Sequence, residues 1–415
     1  MKNKTYIGAL AVVVAALLWS LDGIFLRPNL HTLPSTLVVF LEHLLGFIVL
    51  TPFLIMYAHE MKWISKKQWG AIFWVSLFGG ALGTTFITKA LFLTGFKDVS
   101  VVILLQKIQP IFAIILASIF LRERFPKRFY AYAILAVISG YFVAFKDPLQ
   151  IMSLPATTFL TILFALLAAF SWGSSTVFGK YSLKNINHGL LAALRFGLTA
   201  LLMLIPAIFF SQQAWLAIEA RHWLILVTVV FTSGSTAIFL YYWGLKKIPA
   251  SIATLCELSW PVSALLFDYF FNHNVLSPTQ IIGAVVLVFV VYKSTALVKS
   301  HHITGTVIEG KNKGKEVDMQ TANLLTTRAG KLPKGLYTCA VTWEGHSYQG
   351  LLYYGYNSLS GEDCLETHIL NFSGDIYGKN IKVKTDKYLR LPKKFKNIKD
   401  LMERTKKDLE LIKKI

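Results

Sequence analysis

Eight ionisable side chains stand inside long apolar stretches of this 415-residue chain: Asp22, Glu42, His43, Lys89, Lys107, Arg195, Glu257 and Asp268. A charge in hydrocarbon is costly, so such groups normally face a partner or a watery path. They are therefore the first candidates for handling a polar solute or a proton. A second set lies near the C-terminal end, where the composition turns polar. Gly305, Gly310 and Gly314 recur within "TGTVIEGKNKGKEVD", and glycines let backbone N–H groups approach a phosphate. No Gly-Lys-Ser/Thr follows, so the segment is not a P-loop.

The elements that carry the first set follow from hydropathy. A hydrocarbon core about 30 Å thick takes roughly 20 apolar residues as helix. Ten segments qualify, near 6–26, 34–57, 68–95, 98–121, 128–145, 156–178, 187–210, 222–244, 250–271 and 278–298. Lipid offers no partner to an unpaired backbone group, so each is read as a helix. The first run starts basic but continues through Leu26 without a small-residue cleavage site, which makes it a span and not a signal peptide. The net charge of +20 belongs to loops that set topology, and no nucleic-acid partner is expected. With the N-terminus inside, the inside segments hold fifteen Lys and Arg, against Arg27, Lys97, Lys146 and Arg221 outside. The expected location is the cytoplasmic (inner) membrane, multi-pass in the lipid bilayer, with both termini cytoplasmic. Cys256, Cys339 and Cys364 show neither metal spacing nor a disulfide framework.

The spans repeat. "AALLWSLDGIF" in span 1 matches "LAAFSWGSSTVF" in span 6, which pairs Trp19 with Trp172. Spans 4 and 9 pair Pro110 with Pro261 and Gln106 with Glu257; spans 2 and 7 place Glu42 near Arg195. Five helices per unit invert the second copy relative to the first, an architecture of secondary transporters. Glu257 and Lys107 sit on symmetry-related spans and both reach a central cleft, where they bind a polar substrate, carry a proton or neutralise each other. A transport cavity is expected from Trp19, Asp22, Glu42, Lys107, Trp172, Arg195 and Glu257, flanked by Gln106, Gln109 and Trp260. Trp19 and Trp172 either stack on a flat substrate or simply pack. Pro110 and Pro261 are hinges or plain kinks. Lys89 can snorkel. A homodimer is compatible with this layout.

The five-plus-five pattern, the tryptophan late in the first helix of each unit and the Pro-containing fourth helix ending in "LRERF" resemble the EamA branch of the drug/metabolite transporters, over residues 6–298. The second unit departs where that pattern has a glutamate: it reads "FDYFFNHN".

Beyond a short basic connector, "GLYTCAVTWEGHSYQGLLYYGY" alternates like a hairpin about Glu344–Gly345. "LETHILNFSGDIYGKNIKVKTDKYLRL" reads as two further strands around Ser373–Gly374, and "NIKDLMERTKKDLELIKKI" as an amphipathic helix. Periodicity supports a small β-barrel followed by a C-terminal helix and names no reaction. The order of the pieces resembles the riboflavin kinase family. That family runs Gly-x-Val-x-x-Gly-x-x-x-Gly, Thr-Ala-Asn-Leu, Gly-Val-Tyr, Glu-x-His-Ile-x-x-Phe-x-x-Asp-x-Tyr-Gly, then Leu-Arg and Lys-Phe. This chain has Gly305, Val307, Gly310 and Gly314, then Thr321-Ala322-Asn323-Leu324 and Gly335-Leu336-Tyr337. Glu366, His368, Ile369, Phe372, Asp375, Tyr377 and Gly378 follow, with Leu389-Arg390 and Lys394-Phe395 after them. The resemblance implies that Gly305, Gly310, Gly314, Thr321 and Asn323 bind ATP. It also implies that Thr321 and Asn323 hold Mg²⁺, and that Glu366 is the catalytic base acting on riboflavin to give FMN. Departures stand at Asp318-Met319-Gln320, where the family has Gly-Phe-Pro, and at Asn357-Ser358-Leu359, where it has Asn-Pro-Thr.

The expected domains are a first five-helix repeat at 1–149, a second at 150–298, a linker at 299–304 and a riboflavin kinase-like domain at 305–415. Two functions fit: a riboflavin transporter coupled to ATP-dependent phosphorylation of its cargo, or a transporter of another metabolite regulated by a degenerate flavin-binding domain. Loop charge makes a direct prediction: a tag placed after Ile415 is reached by antibody only in permeabilised cells, and labelling of intact cells would contradict the orientation.

Overall fold

The computed structural model describes residues 4–93, 102, 105–144, 147, 159–273, 275–297, 301–308, 321–326, 332–356, 363–370, 372, 374–390, 392, 403 and 408. The chain divides into two compact units, with the change near Leu297.

Among the described residues of the first unit, eight helical runs are long and apolar enough to cross a membrane. They are Thr5–Leu30, Ser35–Met56, Lys66–Ala90, Phe159–Ser182, His188–Phe210, Ala220–Lys247, Ala250–Phe271 and Pro278–Leu297. Gln109–Phe120 and Lys127–Ala144 occupy the places of expected spans 4 and 5. The start of span 4 is largely outside the described residues.

Several spans are not plain α-helices. Span 1 passes at Leu21 into a π-helical segment, Asp22–Leu26, and then a 3₁₀ turn, Arg27–Leu30. Spans 3 and 8 carry π segments at Val75–Leu82 and Val230–Gly234. A π turn shifts the ladder by one residue and offers carbonyls to other donors. Side chains take them: Thr199 Oγ1 donates to the Ser76 carbonyl (2.9 Å) and Arg195 Nη2 to the Gly79 carbonyl (2.9 Å). Spans 4 and 9 are broken. A turn at Lys107–Ile108 precedes the helix Gln109–Phe120, and Leu258 separates Ala250–Glu257 from Ser259–Asn272. Pro110 and Pro261 stand in the first turn after each break, where a missing N–H costs no helical hydrogen bond. Each proline thus opens a new helix segment.

Glu123, from "LRERF", accepts from the Ala250 and Ser251 amides (2.8 and 3.0 Å) and from the Ser251 hydroxyl (2.6 Å). A carboxylate there satisfies the unpaired amides that begin span 9. Arg122, with φ 54°, makes the reversal that brings it there.

Spans 1 and 8 cross through glycine. A methyl group on Gly244 would come within 2.5 Å of the Gly8 carbonyl oxygen. Small residues at such a crossing let backbones approach in lipid, where packing and not water drives association.

The second unit is a closed barrel of six antiparallel strands in the order β1-β2-β5-β4-β3-β6. The strands are β1 (His302–Ile308), β2 (Thr321–Leu325), β3 (Gly335–Trp343), β4 (His346–Tyr356), β5 (Asp363–Ile369) and β6 (Asn380–Arg390). Alternate residues fill its interior, among them Ile303, Val307, Leu324, Val341, Leu352, Leu365, Ile381 and Val383. The β3–β4 hairpin turns at Glu344–Gly345 as expected, with φ 46° and 81°, the left-handed pair of a two-residue I′ turn. The expected strands on either side of Ser373–Gly374 exist but do not pair with each other. β5 lies between β2 and β4, and β6 joins β3 to β1 and closes the barrel. Closure removes the free edges that a hairpin there would leave. The expected C-terminal helix lies outside the described residues, apart from Glu403 and Asp408; Asp408 receives two hydrogen bonds from Arg390 (2.9 and 2.7 Å).

Overpacking the crossing of spans 1 and 8 costs about 1–3 kcal/mol. Gly244→Leu is accordingly expected to lower the thermal unfolding midpoint of the detergent-solubilised protein, and an unchanged midpoint would contradict the crossing.

Candidate functional site

The segment Thr321-Ala322-Asn323-Leu324 lies in strand β2. Its pairing with β5 sets Thr321 opposite His368, Ala322 opposite Thr367 and Asn323 opposite Glu366. Ala322 and Thr367 are buried inside the barrel, so the alternation turns Asn323, Glu366 and His368 outward. On the other side β4 sets Tyr353 opposite Glu366. Directly opposed residues on one face stand within contact range. Two residues 43 positions apart in sequence, Asn323 and Glu366, thus become neighbours. Tyr353, a half-buried aromatic beside Glu366, is a site neighbour that sequence reasoning missed. Only its period-2 position on β4 hinted at it.

Gly305 has a local reason in the barrel: a methyl group there would sit 3.0 Å from the Leu325 carbonyl oxygen. Gly310 and Gly314 lie outside the described residues, as do Asp318, Gln320 and Leu359. Burial pushes the Cys339 thiol up to about 12, which removes it from nucleophilic chemistry.

In the helical unit, the residues at the two helix breaks meet. Glu257, the last residue before the span 9 break, accepts from Gln109 Nε2 (2.7 Å), the Tyr241 hydroxyl (2.7 Å) and Thr176 Oγ1 (3.2 Å). The Thr176 and Tyr241 hydroxyls are themselves 2.7 Å apart. Four spans, 4, 6, 8 and 9, therefore converge on one carboxylate. Trp19 packs on the Tyr241 ring, with centroids 5.4 Å apart.

Lys107 is buried with its Nζ over the Trp260 ring, 4.6 Å from the centroid. Among the described residues no carboxylate pairs with it, so the neutralising Lys107–Glu257 pair is not formed. Trp172 does not mirror Trp19 in its contacts; its indole Nε1 would meet a methyl group on Gly83 at 2.6 Å. Arg195 donates Nη1 to the Tyr242 hydroxyl (3.0 Å) and Nη2 to Gly79, and does not pair with Glu42. Glu42 instead joins Asp22 through Arg27, at 3.2 and 2.8 Å. Arg27 had been counted as a loop charge. His43 is structural, with Nδ1 2.8 Å from the Val39 carbonyl and its ring on Phe196. Lys89 is exposed, and the Asp268 side chain lies outside the described residues. Thr176 and Tyr241 went unassigned in the sequence because nothing in an apolar run distinguishes a partnered hydroxyl from a packed one.

Comparison with known proteins decides the family. The model of the EamA-like transporter family matches residues 6–145 and again 159–295. The chain belongs to the EamA-like transporter family. Its remaining part, residues 297–415, matches the flavokinase model, described as riboflavin kinase. This EamA chain is 43% identical over 294 residues to the riboflavin transporter ImpX of Fusobacterium nucleatum subsp. nucleatum, covering 70% of this chain and 98% of that protein. Its tail is 31% identical over 108 residues to the bifunctional riboflavin kinase/FMN adenylyltransferase of Listeria monocytogenes, covering 25% of this chain and 34% of that protein. One solved structure covers 70% of this chain and 96% of its own at 18% identity with a TM-score of 0.57, a likeness of fold alone.

A buried carboxylate that loses a donor costs about 1–3 kcal/mol. Gln109→Leu is expected to lower the unfolding midpoint of the solubilised protein, while Gln106→Leu, outside this network, moves it less; equal effects would contradict the convergence.

Proposed function

We propose that the helical unit carries riboflavin across the cytoplasmic membrane and that the barrel phosphorylates it to FMN with ATP. The observation that carries the reading is the strand register that sets Asn323 opposite Glu366, in a chain whose helical part aligns with nearly the whole of a riboflavin transporter.

Phosphoryl transfer needs an aligned hydroxyl and neutralised phosphates more than covalent help from the protein. Thr321 and Asn323 offer a hydroxyl and a carboxamide oxygen, hard donors of the kind Mg²⁺ accepts. They are the residues that would hold the ion, which when bound neutralises the phosphates of ATP. Glu366, on the adjoining strand, takes the proton of the riboflavin 5′-hydroxyl as that oxygen attacks the γ-phosphorus. Tyr353 supplies an aromatic face beside it for the flavin ring.

In the helical unit, Glu257 and its ring of donors form the polar station at the helix breaks, where transporters of this kind bind solutes. The sugar-alcohol chain of riboflavin can exchange hydrogen bonds with Gln109, Thr176 and Tyr241, and Trp19 lies next to them for the ring. FMN carries about two negative charges that riboflavin lacks, so phosphorylation on the inner side prevents return through an apolar path and keeps the gradient of free vitamin inward.

The full-length protein, supplied with riboflavin, ATP and Mg²⁺, is expected to form FMN. Glu366→Gln is expected to lower that rate by about 10²–10⁴-fold, the range for a general base, without loss of riboflavin uptake. Flavin binding without turnover in the unaltered protein would favour a regulatory tail instead.

A further inference from the structure

Two carboxylates and one guanidinium meet where span 1 enters its π segment. Arg27 donates to Asp22 Oδ2 from Nε (3.0 Å) and Nη2 (2.8 Å), and Nη2 also reaches Glu42 Oε2 at 3.2 Å. Asp22 is 5% exposed and Glu42 9%. Asp22 Oδ1 is buried, and among the described residues none donates a hydrogen bond to it. The Ser233 hydroxyl, from the π segment of span 8, lies alongside this carboxylate and 3.5 Å from the Val229 carbonyl oxygen.

Among the described residues, no cation other than Arg27 pairs with either carboxylate, and Arg195 on span 7 is held by Tyr242 and Gly79. Span 9 contributes Phe267 and Phe271, packed on Phe25. Arg221 is bonded to Asn29 and His222 to Thr32, and His43 is held by Val39. Fully ionised, the triad carries one uncompensated negative charge in a membrane span, which is costly. One proton on Oδ1 makes the triad neutral and removes a bare charged oxygen from the apolar interior. A metal cation is disfavoured, because the guanidinium already occupies the face shared by both carboxylates.

We propose that Asp22 Oδ1 is the site of a single exchangeable proton, and that one proton bound there accompanies each solute molecule through the helical unit. The proton arrives from water as hydronium, forms an O–H bond on Oδ1, and returns to water on the other side. Arg27 stands at the end of the span 1 π segment, in the 3₁₀ turn Arg27–Leu30 that closes the span. The second half of the proposal rests on the transport reading above; the first half does not.

Two measurements separate them. Infrared difference spectra of the reconstituted full-length protein, recorded across a pH titration without riboflavin, are expected to show a protonated carboxylic C=O band. It should shift on aspartate-specific ¹³C labelling, vanish in Asp22→Asn and persist in Glu257→Gln. A wild-type protein without such a band, or with one that ignores the aspartate label, would overturn the site. The label reads the unaltered protein, so the answer survives a misfolded variant.

In proteoliposomes, an inward gradient of one pH unit is expected to support about tenfold riboflavin accumulation, the ratio that one proton per solute allows. Uptake that ignores the proton gradient, or follows sodium instead, would overturn the coupling. No uptake or counterflow under any gradient would overturn the transport reading while leaving the spectroscopic result to decide the proton site.

Discussion

A carboxylate placed where water cannot reach must be satisfied by its own protein, and this requirement organises the helical unit. Glu257 stands at the end of a broken helix and draws Gln109, Thr176 and Tyr241 from three other spans. Three donors on two oxygens offset much of the cost of taking the charge out of water. The breaks in spans 4 and 9 exist at this level because the prolines that follow them begin helices and do not interrupt them. The π segment of span 3 serves the same need in another form, since it hands carbonyls to Arg195 and Thr199 that a regular helix would keep for itself. Satisfaction drawn from several separate spans is also breakable, which is what a solute path requires.

The barrel solves a different problem with the same accounting of backbone groups. Its closed ladder leaves no edge, and the register that closure imposes brings residues far apart in sequence into one outward row. Asn323 and Glu366 become neighbours because β2 must pair with β5, and Tyr353 joins them because β5 must pair with β4. Alternation keeps Thr367 inside and Glu366 outside. A single-residue slip would bury the carboxylate and expose the core, so the proposed chemistry and the hydrophobic interior are protected by one constraint.

What could be read in the sequence reflects how local each determinant is. Spans were legible because lipid thickness and backbone satisfaction act on consecutive residues, and the Glu344–Gly345 turn because its two positive φ values are a local demand. The resemblance of "TANLL" and "ETHI" to one family pointed to Thr321, Asn323 and Glu366. The partners of β5 and of β6 were not legible, since they depend on barrel closure and not on the turn between the two strands. Arg27 illustrates the same limit in the membrane: a loop-charge count includes it, while a π turn and two buried carboxylates determine where its guanidinium goes. Tyr241 and Thr176 carried no sign at all, because their value depends on a carboxylate supplied by another span.

The account's central claim is that passage and phosphorylation act in sequence on one solute, with the barrel on the inner side. Its most direct test uses proteoliposomes of uniform orientation, labelled riboflavin outside, and Mg-ATP enclosed either with the tail or on the opposite side. The account predicts labelled FMN trapped in the lumen when tail and nucleotide share that compartment, and none when ATP is present only across the membrane from the tail. FMN forming equally well with nucleotide on the far side, or riboflavin accumulating without conversion when ATP is beside the tail, would contradict it.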